Sequence, residues 1–459
     1  MKKLIIFICL LLLTSASLSV FVFASVNGAR DKIEYAERAL YGDRTSAYGA
    51  VINAAYEHSD NLFWRSELSI GKDNTVTSSY DFCYLVKTVG SGPKYSGIEI
   101  HSSIYYDWDI ANEESASGLS KAYKEIYDAT PKGTERTVTV MLKDYYDYYP
   151  VSVNMSVPGY LYRSFDSIER PNDSIAKKEI IRAFNDFFKI PINENAKFEM
   201  TVDRDPSDGH SSTSVQATMY NLFSQCVMGE SICYISITNT NTDGTKADMS
   251  LIPGGYGIYA INYGEEFEHG IDLASLRTVY SVTEAEEVTK MILREDKNEL
   301  FIFTTDGSKS YLYVVDLDDF ETVQKTELPF HIYNLWEEEE YFLIKGTEEI
   351  AVIDKDENGF YRTAFIAMTA HYINDTFEVL YPYAAIDYDG EKLITVDFMR
   401  EGRFNALEIC SYYVAVYDSS GLLYYGEYDC SLSANPNVNN YAYNCLPSSQ
   451  IPLTVKWSK

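Results

Sequence analysis

Three short strings recur in the C-terminal half of the chain: Leu312 to Asp316 (LYVVD), Ile350 to Asp354 (IAVID) and Val414 to Asp418 (VAVYD). Each is a β-branched and aromatic run closed by aspartate. Residues of this kind fit a pleated, buried surface, and aspartate starts turns by offering its carboxylate to the backbone amides that follow. Each copy has another apolar run before it and a polar turn with a further run after it. The chain is therefore predicted to repeat a unit of antiparallel strands, and the repeat constrains architecture, not chemistry.

Lys290 to Leu293, Leu300 to Thr304, Tyr311 to Asp316 and Thr322 to Leu328 are predicted to form one four-strand unit, with Asp306-Gly307 as a hairpin turn. A second unit runs from about Ile332 to Ile366. A third runs from about Tyr383 to Tyr428, with an insertion near Arg400 to Glu408. Ile258 to Asn262 (IYAIN) fits the same template with Asn in place of Asp. Earlier in the chain, Leu62 to Ile70, Tyr80 to Val89 and Ile98 to Tyr106 read as strands, and Thr134 to Lys143 with Val151 to Val157 as a hairpin. Apolar residues at helical spacing predict two short helices, one on Leu119, Ala122, Tyr123 and Ile126, the other on Ile180, Ile181, Phe184, Phe187 and Phe188. Ser115 or Ser117 would cap the first, Asp173 or Ser174 the second.

The recurring unit resembles one blade of a β-propeller of the irregular, diverged kind, over residues 256 to 430. The Trp-Asp and Gly-His marks of WD40 blades are absent from the repeats, and the single Trp108-Asp109 pair lies outside them. The resemblance implies an all-β fold: an irregular propeller of about six to eight four-stranded blades over residues 51–459, with the two helices as insertions. Propellers serve binding as well as catalysis, so no activity follows from the architecture.

Lys2 and Lys3 precede a ten-residue apolar run, Leu4 to Leu13, and apolar and small residues continue to Ala24. Residues 1–24 read as an export signal. Val22 and Ala24 suit cleavage, while Leu4 to Phe23 is long enough for a retained anchor, and both readings leave the rest of the chain outside the cytoplasm. Residues 25–50 are expected to form a short helical linker, with Ile33, Ala36, Glu37 and Leu40 of Arg30 to Tyr41 on one face.

The whole chain carries a formal charge of −30, from 38 basic and 68 acidic residues. Such a surface repels nucleic acid and anionic lipid, which leaves a protein or glycan as the expected partner and the N-terminal helix as the one membrane contact. Tyrosine is abundant, at 40 residues. The run Tyr145, Tyr146, Tyr148 and Tyr149 offers rings for stacking on sugars, or plain strand surface. Of seven cysteines, Cys9 lies in the signal. Among the other six, Cys226 with Cys233, Cys430 with Cys445 and Cys83 with Cys410 are the pairings weighed, against buried thiols.

The chain lacks the Gly-x-Ser-x-Gly, His-Glu-x-x-His and paired Cys-x-x-Cys signatures. His58, His101, His210, His269, His331 and His371 are scattered. Gly255-Tyr256-Gly257 leads into a strand, not a phosphate-binding helix, and Ser174 with Lys177 lacks the Lys-Thr-Gly of penicillin-recognising enzymes. Asp354, Asp356, Asn358 and Gly359 begin like a calcium loop, and Asn239, Asn241, Asp243 and Gly244 echo it, but Phe365 and Ser250 stand where the closing carboxylate belongs. Ordinary hairpin turns use the same residues. The run Glu337 to Glu340 reads as a solvated loop. No catalytic, cofactor-binding or metal residue is assigned. The expected function is a non-catalytic extracytoplasmic binding or scaffold protein of the cell envelope, with a polysaccharide hydrolase or lyase as the alternative.

Overall fold

The repeated strings are third strands of antiparallel meanders. LYVVD lies in the sheet made, in chain order, of Glu287–Arg294, Glu299–Thr305, Ser310–Asp316 and Thr322–Glu327. IAVID takes the same place among Asn334–Glu337, Tyr341–Lys345, Glu349–Lys355 and Tyr361–Met368. IYAIN does so among Ser224–Met228, Ile232–Ile237, Gly257–Asn262 and Arg277–Ser281. VAVYD ends Ala406–Asp418, which follows Ala385–Tyr388 and Leu393–Glu401 and precedes Gly421–Cys430. A computed structural model of the protein describes residues 2–30, 34–58, 62–82, 95–102, 104, 118–158, 160–162, 175–206, 211–218, 220–373, 376–379, 385–401, 406–430, 445–447 and 453–458.

The third strands read as unbroken apolar runs because both of their faces are covered. In VAVYD, Val414 and Val416 pack toward the 50–82 sheet with Ile52, Ala54 and Leu68. Ala415 and Tyr417 point the other way, to Leu343, Ile350 and Val352 of the 334–368 sheet. Period-two alternation thus serves two cores at once. Outer strands are covered less: in Thr322–Glu327 no residue is fully buried. The shared aspartate is turn chemistry. Asp316 Oδ1 accepts the Asp318 amide at 2.8 Å, and Asp418 Oδ1 accepts the Ser420 amide at 2.7 Å. Asp306 does the same for Ser308 and Lys309 in the expected Asp306-Gly307 turn, where Gly307 takes φ +88°. Asp354 departs from the rule, since its carboxylate faces Arg362 and Asp356 makes that turn.

The fold is all-β, and its four-stranded antiparallel meanders have the strand order of β-propeller blades. Among the described residues it has five sheets of four or more strands and two of three strands, seven of blade size, besides the small hairpin Ala370–Ile373 with Thr376–Val379. The chain divides into two compact units, a continuous one, Pro93–His331, and a discontinuous one joining Met1–Gly92 to Ile332–Lys459.

In the discontinuous unit both ends of the chain are woven into sheets begun elsewhere. Tyr35–Gly42 is the fifth strand of the 385–430 sheet, antiparallel to Gly421–Cys430, with Tyr35 opposite Cys430 and Gly42 opposite Tyr424. Thr454–Trp457 pairs with Ala50–His58, and Cys445–Pro447 continues along the same strand. Glu37 anchors this seam. It accepts Tyr424 Oη at 3.1 Å, pairs with Arg44 at 2.5 Å and accepts Asn74 Nδ2 at 3.3 Å, while Arg44 also donates to Asn74 Oδ1 at 2.8 Å. Gly42 ends the strand at φ +71°, where a Cβ would fall on the Leu423 carbonyl oxygen.

In the continuous unit α2 (Gly118–Ala129) buries Leu119, Ala122, Tyr123 and Ile126, and α3 (Ile175–Phe187) buries Ile180, Ile181 and Phe184, the faces predicted. On α3, Asn185 accepts the Val151 amide at 3.0 Å and donates to the Val151 carbonyl at 2.9 Å, standing in for a strand neighbour. The capping positions 115, 117, 173 and 174 lie outside the described residues, as do residues 83–89 of the strand expected over Tyr80 to Val89, whose first residues belong to the strand Thr75–Phe82.

Two expectations are corrected. The helix α1 spans Lys2–Arg30, and the segment read as a helical linker holds the strand Tyr35–Gly42, because pairing with Gly421–Cys430 outweighs a local periodicity. The hairpin read from Thr134 to Val157 does not form. Thr134–Met141 pairs with Lys197–Arg204, while Val151–Val157 pairs with Gly97–Ser102 and Tyr160–Tyr162. Between them Leu142–Asp144 makes a 3-10 turn with Leu142 buried, and Tyr149 is buried as well, so the link crosses between sheets.

Glu37→Ala should lower the unfolding free energy by about 1–3 kcal/mol in urea titration, since Arg44 and Tyr424 lose a part-buried partner. Arg38→Ala, next along Tyr35–Gly42, removes the pair that its exposed side chain makes with Glu427 on the partner strand and should change it by less than about 1 kcal/mol.

Candidate functional sites

In the continuous unit, a groove of about 270 Å³ runs between α2 and the strand Thr134–Met141. Glu125, Ile126 and Ala129 line it from the helix, Arg136, Val138, Thr139, Val140 and Met141 from the strand, and Asp144 and Tyr145 from the 3-10 turn. The strand is the outer member of its sheet among the described residues, so one row of its backbone N–H and C=O groups has no strand partner there. Tyr145 Oη donates to Glu125 Oε2 at 3.1 Å, and Arg136 Nη1 donates to the Ala129 carbonyl at 3.4 Å. Burial and that carboxylate push the Tyr145 hydroxyl above its usual range, so it stays a donor. The groove offers both signs of charge, a tyrosine edge and a strand edge.

In the discontinuous unit, carboxylates from two sheets meet on one ammonium. Lys456 Nζ lies 3.1 Å from Asp387 Oδ1 and 3.8 Å from Glu338 Oε2. Asp387 Oδ2 also accepts the Trp457 amide at 2.8 Å. Burial lifts Glu338 above the usual carboxylate range, Asp387 adds to this, and Lys456 opposes it. Tyr341 stands nearby, 7% exposed, its hydroxyl raised by burial and by both carboxylates. A carboxyl held above its ordinary range beside a hydrogen-bonded carboxylate is the elementary pairing of acid–base chemistry.

A third cluster is saturated. Glu286 is 6% exposed and accepts Thr304 Oγ1 at 2.5 Å, Tyr313 Oη at 2.9 Å and Lys325 Nζ at 3.0 Å. Burial works to raise its pKa, and the hydrogen bonds from Thr304, Lys325 and Tyr313 together outweigh it, so the carboxyl sits below its ordinary value. Lys325 lies over the Tyr311 and Tyr313 rings at 4.5 and 4.6 Å. With each carboxylate oxygen engaged, this is a structural ion pair.

The tyrosine run is divided: Tyr149 is buried and accepts the Tyr220 amide, Tyr146 accepts the Leu119 amide at the start of α2, Tyr145 lines the groove, and Tyr148 is exposed. The histidines do not converge. His101 lies 3.6 Å from Glu99, His269 2.9 Å from Glu179, and His331 3.3 Å from Thr305, while His210 and the side chains of His58 and His371 lie outside the described residues. In the two calcium-like loops, Asp356 accepts the Asn358 and Phe360 amides and Asp243 accepts Thr245, the arrangement of hairpin turns. No cluster of three or more metal-ligating side chains occurs among the described residues. Gly257 opens a strand, as read. Cys226 and Cys233 are thiols on the arms of one hairpin, while Cys83 and the side chains of Cys410 and Cys445 lie outside the described residues. Neither the groove nor the Glu338, Asp387 and Lys456 group was singled out from the sequence, because their members are adjacent only after folding.

No protein-family model matches the chain, and no curated protein matches it. Similar solved structures include a protein from Lactobacillus plantarum, with 8% identity, 81% of this chain and 93% of that one covered, and a TM-score of 0.26. A hypothetical selenium-binding protein from Sulfolobus tokodaii gives 9% identity, coverage of 92% and 97%, and a TM-score of 0.26. A dihydro-heme d1 dehydrogenase, NirN, gives 11% identity, coverage of 91% and 76%, and a TM-score of 0.24. Likenesses of this size carry no argument, so the blade assignment rests on strand order and pairing.

Glu286→Gln should destabilise the protein at neutral pH by about 1–3 kcal/mol. A carboxyl whose folded pKa lies below its unfolded value of 4.5 contributes stability above that value and loses it as pH falls through the folded pKa. The gap between wild type and Glu286→Gln, followed by urea unfolding from pH 7 downward, should therefore stay constant to about pH 5 and then narrow.

Proposed function

We propose that this chain is a non-catalytic binding protein of the cell envelope, held at or released from the membrane by its N-terminal helix. Its ligand is a protein that enters the groove beside Thr134–Met141 as an extended segment. The groove next to an outer strand carries this reading: an added strand gains backbone hydrogen bonds from the edge, and Glu125, Arg136 and Tyr145 select its side chains. The extracytoplasmic part of the reading is supported by Leu4–Val22, apolar, exposed and long enough to cross a membrane. The acidic composition suits a soluble exterior.

Screening the purified chain against peptide and glycan libraries tests this. A peptide hit should weaken by about tenfold or more in Tyr145→Ala and in Arg136→Glu, with unchanged circular dichroism. Binding that ignores both substitutions, or hits confined to glycans, would sink it.

A second reading, a polysaccharide hydrolase or lyase, is favoured by one observation, the Glu338 and Asp387 carboxyls on Lys456. In that role Glu338 donates a proton to the departing oxygen and Asp387 takes the base or nucleophile position. Reducing ends released from a glycan panel should then fall by about 10²–10⁴ in both Glu338→Gln and Asp387→Asn. Release that survives both substitutions removes the site from this role.

A further inference from the structure

Cys226 and Cys233 lie on the two arms of the hairpin Ser224–Met228 and Ile232–Ile237. In its register Cys226 stands opposite Ile235 and Met228 opposite Cys233, so the cysteines are diagonal neighbours on one face of the sheet. The two thiols are near enough to bear on each other's ionisation, and Cys226 Sγ also donates to the Val227 carbonyl at 3.9 Å. The strand Gly97–Ser102 approaches this point closely because residue 97 has no side chain: a Cβ there would lie 2.5 Å from Cys226 Sγ, and Gly97 takes φ +78°. The sulfurs differ in surroundings. Cys226 is partly exposed and Cys233 fully buried. The Cys233 thiol, aided by the Ile98 amide, holds Cys226 below the usual thiol range against burial, while Cys226 and burial push Cys233 up.

We propose that Cys226 and Cys233 are a redox pair that closes to an intramolecular disulfide, with Cys226 as the attacking sulfur and Cys233 as the resolving one. The oxidant is a disulfide of the glutathione or disulfide-oxidase class. The Cys226 thiolate attacks one of its sulfurs, the S–S bond breaks, and one thiolate leaves with the electron pair and takes up a proton. Cys233 then loses its proton and displaces the second oxidant thiolate from Cys226, so the protein gives up two electrons and two protons and the oxidant becomes two thiols. The closed bond fastens the outer strand Ser224–Met228 to its neighbour at the edge where Ser224 Oγ accepts the Ile100 amide at 2.6 Å. Its formation in the cell rests on the extracytoplasmic reading, and its chemistry does not.

The test uses the full chain, oxidised with glutathione disulfide, alkylated and digested with trypsin without reduction. No Lys or Arg lies between Arg204 and Lys246, so one peptide carries both cysteines. The expected product is that peptide, unalkylated and about 2 Da lighter than the dithiol. In Cys233→Ser a glutathione adduct should accumulate on Cys226, and in Cys226→Ser none should form on Cys233. Alkylation of both thiols after oxidation, pairing with any other cysteine, or a reversed pattern of adducts would overturn the proposal. Protein trapped directly from cells as the dithiol, yet closing in vitro, would instead count against export and leave the pair standing.

Discussion

Strand pairing between residues 387 positions apart, sealed by the contact of Glu37 with Tyr424, holds the discontinuous unit together. Everything else there depends on this seam. The 385–430 sheet is complete only with Tyr35–Gly42 beside it, and the 50–82 sheet only with Thr454–Trp457. Hydrophobic stacking cannot choose between registers by itself, because a slip of two residues keeps the same face inward. The part-buried Glu37, Arg44, Asn74 and Tyr424 group makes directional contacts that a slipped register would break, so it favours the register that the apolar contacts then fill.

The acidic composition is handled unevenly. Many aspartates are spent locally on turns, where Asp306, Asp316, Asp356, Asp389 and Asp418 accept the amides that follow them. Glu286 is enclosed by donors and has nothing left to offer a ligand. The groove by α2 and the Lys456 site differ in kind, because there Arg136, Tyr145, Glu338 and Lys456 keep part of their polar side chains exposed to a second molecule. That contrast, more than the number of carboxylates, separates structure from candidate function.

The blades were legible because a strand covered on both faces writes a continuous apolar run, and a tight turn writes Asp, Asn or Gly at its ends. LYVVD, IAVID, VAVYD and IYAIN all proved to be third strands. The helices α2 and α3 were legible because each buries one stripe. The segment 35–42 was not, since Ala36, Glu37 and Leu40 satisfy a helical spacing as well as a strand, and only the distant partner Gly421–Cys430 decides. The link 142–150 misled for the related reason that strands close in sequence joined different sheets. Sites were least legible. Glu338, Asp387 and Lys456 come from three separate stretches of the chain, and nothing local in any of them announces the other two.

The seam also orders events during synthesis. A ribosome extends a chain at about 5–20 residues per second, so the segment at 35–42 emerges on the order of 20–80 s before its partner at 421–430. Throughout that interval the continuous unit can settle while the strand after α1 stays an open, pairing-competent edge. Export that runs alongside translation would shelter this edge at the membrane, and a nascent chain released early would carry it into solution as a seed for aggregation.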